Sequence, residues 1–250
     1  MEHQPRNLKT EVYASFKDRN REAASWDEDS VLKSLVVASR PLIVDVGAYT
    51  GTSAVRFRRL FPGARLVCFE PNPAAHSELL ITKSTLGGDI TVFEKAVSDN
   101  DGNATFFVQG VNPGLSGLSK RSLDSKDSIA LVNDAPGTRE QINVHQFTVE
   151  TVKLDSVDLL RDQQVDLLKI DVQSMESKVL AGATELLRRT AVLLVEVSFY
   201  DMYENRSSFQ AIEEFTAPSG LALWAITDHS RNPMNGRTDW VNAVYSRVRV

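Results

Sequence analysis

Short apolar runs alternate with amphipathic stretches along most of this chain, and no other sequence feature constrains the fold as strongly. Four runs have the length and composition of strands buried on both faces; they lie at 42–46, 64–69, 165–172 and 191–197. The stretches between them are typical of helices that cross from one strand to the next parallel strand. The sequence therefore predicts an α/β fold with a doubly wound, Rossmann-like, mostly parallel sheet and helices on both faces.

The same patterns predict the remaining elements and the organisation of the chain. Helices are predicted at 8–39, 52–60, 74–84, 177–189 and 209–217, and further strands at 90–93, 104–108, 142–154, 221–226 and 240–248. Residues 96–103 are predicted to form a loop, and residues 111–140 a long loop of the kind that often lines a binding site. We expect residues 1–40 to be a helical segment that caps one domain at 41–250.

Composition and charge argue against several classes of protein. The net charge of −5 is unlike that of nucleic-acid-binding domains, which usually carry a basic surface. No run approaches the roughly 18–20 consecutive apolar residues of a membrane-spanning helix, and the N-terminus lacks the apolar core of a secretory signal. Cys68 is the single cysteine, and no His, Cys and acidic residues have metal-ligand spacing. We expect a cytoplasmic protein with no metal, nucleic-acid or membrane partner.

The first predicted strand runs directly into the turn Asp45-Val-Gly-Ala-Tyr-Thr-Gly51. Gly47 allows the chain to turn sharply and a ligand to approach the backbone, because glycine has no Cβ. The dinucleotide pattern G-x-G-x-x-G would need a glycine at position 49, where this chain has Tyr49. The turn therefore favours a nucleotide-like ligand but argues against a nicotinamide-dependent dehydrogenase.

Acidic residues end three of the predicted strands. Asp45 and Glu70 follow consecutive β-α units, and Glu70 comes about 25 residues after the first acid, near the spacing of a ribose-binding carboxylate. Glu70 alone would be an ordinary strand-end acid, but the pair indicates an adenosine-containing ligand. Lys169 and Asp171 alternate with apolar residues in the third run, and because unpaired burial of a charge is costly, we expect them to be paired or functional.

Taken in order, these segments resemble the FkbM-type S-adenosylmethionine-dependent methyltransferases. The resemblance covers roughly residues 40 to 200 and extends more loosely to residues 239–245. It rests on the motifs Val44–Gly51, Cys68–Pro73, Ala96–Gly102, Leu154–Ser156 and Leu168–Glu176. It implies the class I methyltransferase fold, whose seven-stranded sheet has one antiparallel strand near the C-terminus.

The resemblance also implies roles for individual residues toward S-adenosylmethionine. The methionine part would be held by Asp45 and by the turn residues Gly47, Ala48, Tyr49, Thr50 and Gly51. The ribose would be held by Glu70 with Pro71 and Asn72. The adenine would lie against Ala96, Val97 and Ser98. Asp171 would lie beside the sulfonium and the acceptor. Glu176 matches the acid that opens the next helix, where the helix N-terminus would favour its charged form.

The chain departs from the family pattern at two places. The family usually has Asn where Tyr49 stands, and Glu-Gly where this chain has Gln173-Ser174. The second departure indicates a changed acceptor or, as the weaker alternative, reduced catalysis. Since Asp171 and Glu176 are retained, we interpret the chain as an active enzyme.

The predicted function is transfer of a methyl group to a hydroxyl of a small molecule such as a sugar or polyketide-type natural product, with S-adenosylhomocysteine as the by-product. A hydroxyl acceptor needs a base near its proton. The candidates are Asp171 and Glu176, with His145 as a rival, and residues 111–140 are expected to form the acceptor wall. An N-methyltransferase and a non-catalytic nucleotide-binding module remain as alternatives.

Overall fold

The computed structural model describes residues 26–110, 112–128 and 143–247. Its helices and strands, numbered along the chain, are α1 (Glu28–Leu35), β1 (Leu42–Val46), α2 (Thr52–Leu60), β2 (Arg65–Phe69), α3 (Pro73–Leu86), β3 (Ile90–Phe93), β4 (Ala96–Val97), β5 (Gly102–Val108), β6 (His145–Val152), β7 (Val165–Ile170), α4 (Glu176–Ala181), α5 (Thr184–Arg188), β8 (Thr190–Ser198), α6 (Phe209–Thr216), β9 (Ala222–Arg231) and β10 (Thr238–Ser246).

Seven strands form the central sheet in the order β3-β2-β1-β7-β8-β10-β9. β10 runs antiparallel to both of its neighbours, and the other strand pairs of this sheet are parallel. The predicted fold class, an α/β sheet with one antiparallel strand near the C-terminus, is therefore confirmed. Strand order reverses at β1, between β2 and β7, and this is where ligands bind in open α/β sheets.

Helices cover both faces of this sheet. On one face α4, α5 and α6 pack against a cluster that includes Val44 and Leu168; on the other, α1, α2 and α3 pack against a cluster that includes Ile43 and Leu167. The two faces alternate along each strand because successive strand side chains point to opposite sides. Asp45 lies between apolar neighbours of β1 and faces the side of α1 to α3.

The structure differs from the predicted elements in three places. Residues 8–25 of the helix predicted at 8–39 lie outside the described residues. In the described part of that segment, the helix is α1. In the predicted loop at 96–103, residues 96–97 form β4 and residues 102–103 begin β5. The helix predicted at 177–189 is divided into α4 and α5 at Gly182, where a Cβ would lie 2.0 Å from the carbonyl oxygen of Ser98.

The small strands β4, β6 and β5 form a second sheet, in that order, beside the main one. The chain that follows β5 returns over it, since the backbone of Phe107 exchanges hydrogen bonds with Gly117. Only part of the predicted loop at 111–140 can be located, because residues 111 and 129–142 lie outside the described residues. In the described ranges, no helix has the length and apolarity needed to cross a membrane.

Candidate active site

A cavity of about 420 Å³ lies at the carboxyl ends of β1, β2, β7 and β8. The segment after β5 forms one wall, with Pro113, Gly117 and Leu118 among its lining residues. Glu28, at the first position of α1, lines the opposite end together with Trp240 of β10. The cavity therefore spans the predicted cofactor turn and continues toward α1 and the antiparallel strand.

The turn after β1 is shaped by its contacts with two neighbouring strands. The N–H groups of Gly47 and Ala48 both donate to the carbonyl of Phe69, at 3.1 and 3.0 Å. Gly47 has φ of +81°, and a Cβ there would lie 1.9 Å from the carbonyl oxygen of Asp171. Glycine at this position therefore permits both the left-handed backbone and the close approach to the chain after β7.

Glu70 lies beside this turn as a buried carboxylate with both oxygens bound to backbone. Its Oε2 accepts from the Tyr49 N–H and its Oε1 from the Asn72 N–H, each at 2.8 Å. Burial raises the pKa of Glu70 to about 7, although the two N–H donors act against the rise. Each oxygen still has lone-pair capacity for another donor, because a carboxylate accepts about four hydrogen bonds.

The structure brings most of the predicted cofactor residues to the cavity but not all of them. Its lining includes Gly47, Ala48, Tyr49, Glu70, Pro71, Asn72, Ala96, Val97 and Asp171. Thr50 and Gly51 face α3, where the Thr50 carbonyl accepts from Thr82. Ser98 is buried against α4 at Gly182, so these three residues support the turn and the sheet edge without lining the cavity.

Asp45 also lies below the cavity surface, in a buried charge network. It accepts a hydrogen bond from the hydroxyl of Ser53, and its Oδ1 is 3.2 Å from the ammonium of Lys169. The same ammonium donates to the Gly47 carbonyl at 3.1 Å and lies 3.5 Å from Asp171 Oδ2. Burial alone would lower the pKa of Lys169, but Asp45 and Asp171 outweigh it and raise that pKa. Lys169 is therefore a fixed cation between the turn and the end of β7. The sequence predicted that Lys169 and Asp171 are paired or functional, and the structure places them as a pair.

The departure from the family pattern after β7 forms a defined turn. Gln173 and Ser174 have φ of +55° and +79°, in the left-handed region that favours glycine. The Gln173 amide nitrogen donates to Asp171 Oδ1 at 2.8 Å, and its oxygen accepts from the Tyr203 hydroxyl at 3.0 Å. An amide at this position thus bridges Asp171 and Tyr203, whereas a glutamate would bring a second carboxylate against Asp171.

Glu176, a predicted base, lies behind this turn and does not line the cavity. It is 3% exposed, and its Oε1 accepts from the N–H groups of Ser174 and Val172 at 3.1 and 3.3 Å. Burial raises the pKa of Glu176 to about 7, although those backbone donors act against the rise. Desolvation therefore outweighs the backbone donors and the field of a six-residue helix, which favour the charged form, and the role of Glu176 in catalysis stays a prediction.

This burial predicts how the stability of the protein depends on pH. The folded chain holds the Glu176 proton up to about pH 7, while the unfolded chain releases it near 4.5. The contribution to stability is therefore complete below the unfolded pKa and is lost as the pH rises through 7. Glu176→Gln keeps the accepting oxygen but carries no charge, so it should flatten the decline in free energy of unfolding between pH 5 and 8. Urea unfolding checks this, with Glu176→Ala as the control that loses the acceptor; an unchanged slope in Glu176→Gln would contradict it.

His145, the rival base, is exposed at the start of β6, the middle strand of the second sheet, and pairs with Val108 of β5. It does not line the cavity. The structure therefore offers no contact through which His145 would reach a ligand in this site. Among the residues that the structure describes, no three His, Cys, Asp or Glu side chains are grouped as metal ligands.

Three cavity residues were not found from the sequence. Glu196 lies in β8, Asn242 opposite it in β10, and Glu28 above them in α1. Glu28 is 3% exposed; it accepts from Arg56 at 2.6 Å and from Asn242 at 2.8 Å. For Glu196 a signal was present, since a single carboxylate interrupts the apolar run at 191–197. Glu28 carries no such signal, because a polar residue at a helix start is ordinary, and Asn242 was marked only by the looser resemblance over residues 239–245.

The chain is similar to several known proteins. Residues 45–219 match the model of a family described as the methyltransferase FkbM domain. The 2-O-methyltransferase NoeI of Sinorhizobium fredii is 31% identical over 219 residues, which cover 83% of this chain and 87% of that protein. Methyltransferase sdnD of Sordaria araneosa is 29% identical over 168 residues, covering 59% of this chain and 62% of that protein. Among solved structures, a 1,6-didemethyltoxoflavin-N1-methyltransferase of Burkholderia thailandensis aligns over 97% of this chain and 88% of that chain, with 12% identity and a TM-score of 0.44.

Proposed function

Since this chain belongs to the FkbM family of S-adenosylmethionine-dependent methyltransferases, we propose that it methylates a hydroxyl group of a small molecule in the cavity at the carboxyl ends of β1, β2, β7 and β8. The observation that carries the proposal is Glu70. It is a buried carboxylate at the cavity edge whose two oxygens are held by backbone N–H groups and can each accept a further hydrogen bond. Paired vicinal hydroxyls of a ribose match that acceptor geometry.

The residues around Glu70 fit the rest of such a cofactor. Gly47 and Ala48 line the cavity at the turn, and Ala96 and Val97 give an apolar strand end on which an adenine can pack. When bound, S-adenosylmethionine supplies a methyl group on a positively charged sulfur. The side chain of Asp171, which is 33% exposed, places negative charge in the part of the cavity beyond the turn. Walls on several sides would hold the acceptor in line and exclude water, which lowers the barrier of a displacement.

An oxygen acceptor and a small molecule are the favoured choices. The printed name of NoeI specifies 2-O-methylation, and the overall charge of −5 is poorly suited to a nucleic acid. An N-acceptor is the alternative, and mass spectrometry of the product with mapping of the methylated atom separates the two.

We further propose that α1 caps the acceptor end of the domain through Glu28. We also propose that the protein acts in the cytoplasm, where the buried free thiol of Cys68 stays reduced.

Calorimetric titration with S-adenosylmethionine and S-adenosylhomocysteine tests the proposal on the wild type and on Glu70→Gln. Both ligands should bind the wild type, and Glu70→Gln should weaken them by about tenfold to a hundredfold, because hydrogen bonds to a charged acceptor are lost. Glu94→Gln is the matched control, since Glu94 directly follows β3 as Glu70 follows β2 but lies outside the cavity. Binding of NAD with no binding of the two adenosyl ligands would refute the proposed function.

A further inference from the structure

A row of polar side chains crosses the acceptor end of the sheet at one level. Ile170 pairs with Val195 in the parallel ladder of β7 and β8, so Asp171 and Glu196 follow side by side. Glu196 in turn pairs with Asn242 of β10. Residues in register on neighbouring strands project to the same face, and all of Asp171, Glu196 and Asn242 line the cavity.

The two outer side chains of this row, Asp171 and Asn242, already bind other side chains. Asp171 accepts from the Gln173 amide at 2.8 Å and lies 3.5 Å from the Lys169 ammonium. Asn242 donates to Glu28 at 2.8 Å. Glu196 lies between them, half-buried in the cavity wall, and is the carboxylate of the row that has no ion pair at 4.0 Å or less among the described residues.

The surroundings of Glu196 favour its protonated form more strongly than water favours the protonated form of an exposed acid. Burial raises its pKa first, and the neighbouring acids Asp171 and Glu176 raise it further. Lys169 of β7 and the Gln173 amide act in the opposite direction. Burial and then the nearby charge of Glu196 raise the pKa of the hydroxyl of Tyr200, which follows β8. A carboxylate in such a setting takes up a proton more readily than an exposed acid does, which suits a general base.

We propose that Glu196 contacts the acceptor hydroxyl and accepts its proton during methyl transfer, an inference that rests on the proposed function. The acceptor oxygen forms a bond to the methyl carbon while the carbon–sulfur bond breaks, and the electron pair of that bond stays on sulfur. The hydroxyl proton moves to a carboxylate oxygen of Glu196. Asp171 remains paired with Lys169 and holds the adjoining charge, while Glu176 lies behind the turn and His145 lies outside the cavity.

The test compares two ligands that differ at the position of the transferred methyl. Sinefungin carries an amine-bearing carbon where S-adenosylhomocysteine has only its thioether, so the ratio of their affinities reports charge beside that position. Glu196→Gln should lower the preference for sinefungin by about tenfold or more while leaving S-adenosylhomocysteine affinity unchanged. Glu213→Gln is the control. Glu213 lies on α6, away from the cavity, and accepts a hydrogen bond from the Tyr245 hydroxyl. An unchanged ratio in Glu196→Gln overturns the inference.

Two further readouts separate a base from a passive neighbour. Sinefungin affinity should vary with pH as Glu196 titrates in the wild type, and this dependence should be weaker in Glu196→Gln. For any methyl hexoside that the wild type methylates, Glu196→Gln should lower kcat about a hundredfold or more with little change in KM; retained kcat overturns the assignment. If Glu196→Gln does not fold, Glu196→Asp replaces it and should lose part of the sinefungin preference. Failure of the wild type to bind either ligand refutes the proposed function instead.

Discussion

Replacing Gly47 with alanine is expected to destabilise the protein by about 3 kcal/mol or more, from left-handed strain together with overpacking. The added Cβ would lie 1.9 Å from the carbonyl oxygen of Asp171, a backbone atom that cannot rotate away, and the residue would have to keep φ of +81°. Relief requires the turn to separate from the chain after β7. Urea unfolding monitored by circular dichroism measures the loss, and S-adenosylhomocysteine affinity should fall with it.

Gly236→Ala is the matched control for this variant. Gly236 also has a positive φ, +72°, but an added Cβ would meet no atom within 4 Å. Its cost should therefore be the backbone strain alone, about 1–2 kcal/mol. Equal losses in the two variants would show that Gly47 is required for its backbone conformation and not for the close approach to Asp171.

Replacing Lys169 with methionine is expected to cost about 3–5 kcal/mol, the range measured when one partner of a buried ion pair is removed. The variant would leave Asp45 and Asp171 close together with no cation between them, and would also remove the donor to the Gly47 carbonyl. The free energy of unfolding at pH 8 measures the effect. Cofactor binding should weaken in the same variant, because the ammonium joins the turn to the end of β7.

Lys178→Met is the control for the ion-pair argument. Lys178 pairs with Asp99, but its side chain is 51% exposed, so we expect a loss of about 0.2–1 kcal/mol, typical of surface pairs. A loss in Lys169→Met that is as small as this would mean that water or rearranged side chains replace the ammonium between Asp45 and Asp171.

The order of strands along the chain and their carboxyl ends could be predicted from local sequence. Apolar runs of strand length identify β1, β2, β7 and β8 without knowledge of their neighbours, and the carboxyl ends of parallel strands meet at one edge of a sheet. Asp45, Glu70 and Asp171 were therefore assigned to one region before any contact was known. A sharp turn at Gly47 was likewise expected, because a glycine directly after a buried strand allows one, but its close approach to the Asp171 carbonyl was not.

The direction of individual side chains was beyond local sequence. Glu176 and Asp171 are five positions apart, but the turn at Gln173 and Ser174 sends one carboxyl behind the sheet edge and leaves the other in the cavity. His145 had a strand-like context that agrees with the structure, yet its strand belongs to the second sheet and carries it away from the site.

The sequence by itself determined the fold class and the family, and it singled out the turn after β1, because these depend on periodicity and on motifs within single β-α units. Only the tertiary structure decided the end of the cavity that lies toward α1 and β10. Glu28, Glu196 and Asn242 come from α1, β8 and β10, and they meet because β10 inserts antiparallel beside β8 while α1 packs over both. Register between strands that are far apart in the chain is set by packing of the whole sheet, so no local pattern could have placed these three side chains together.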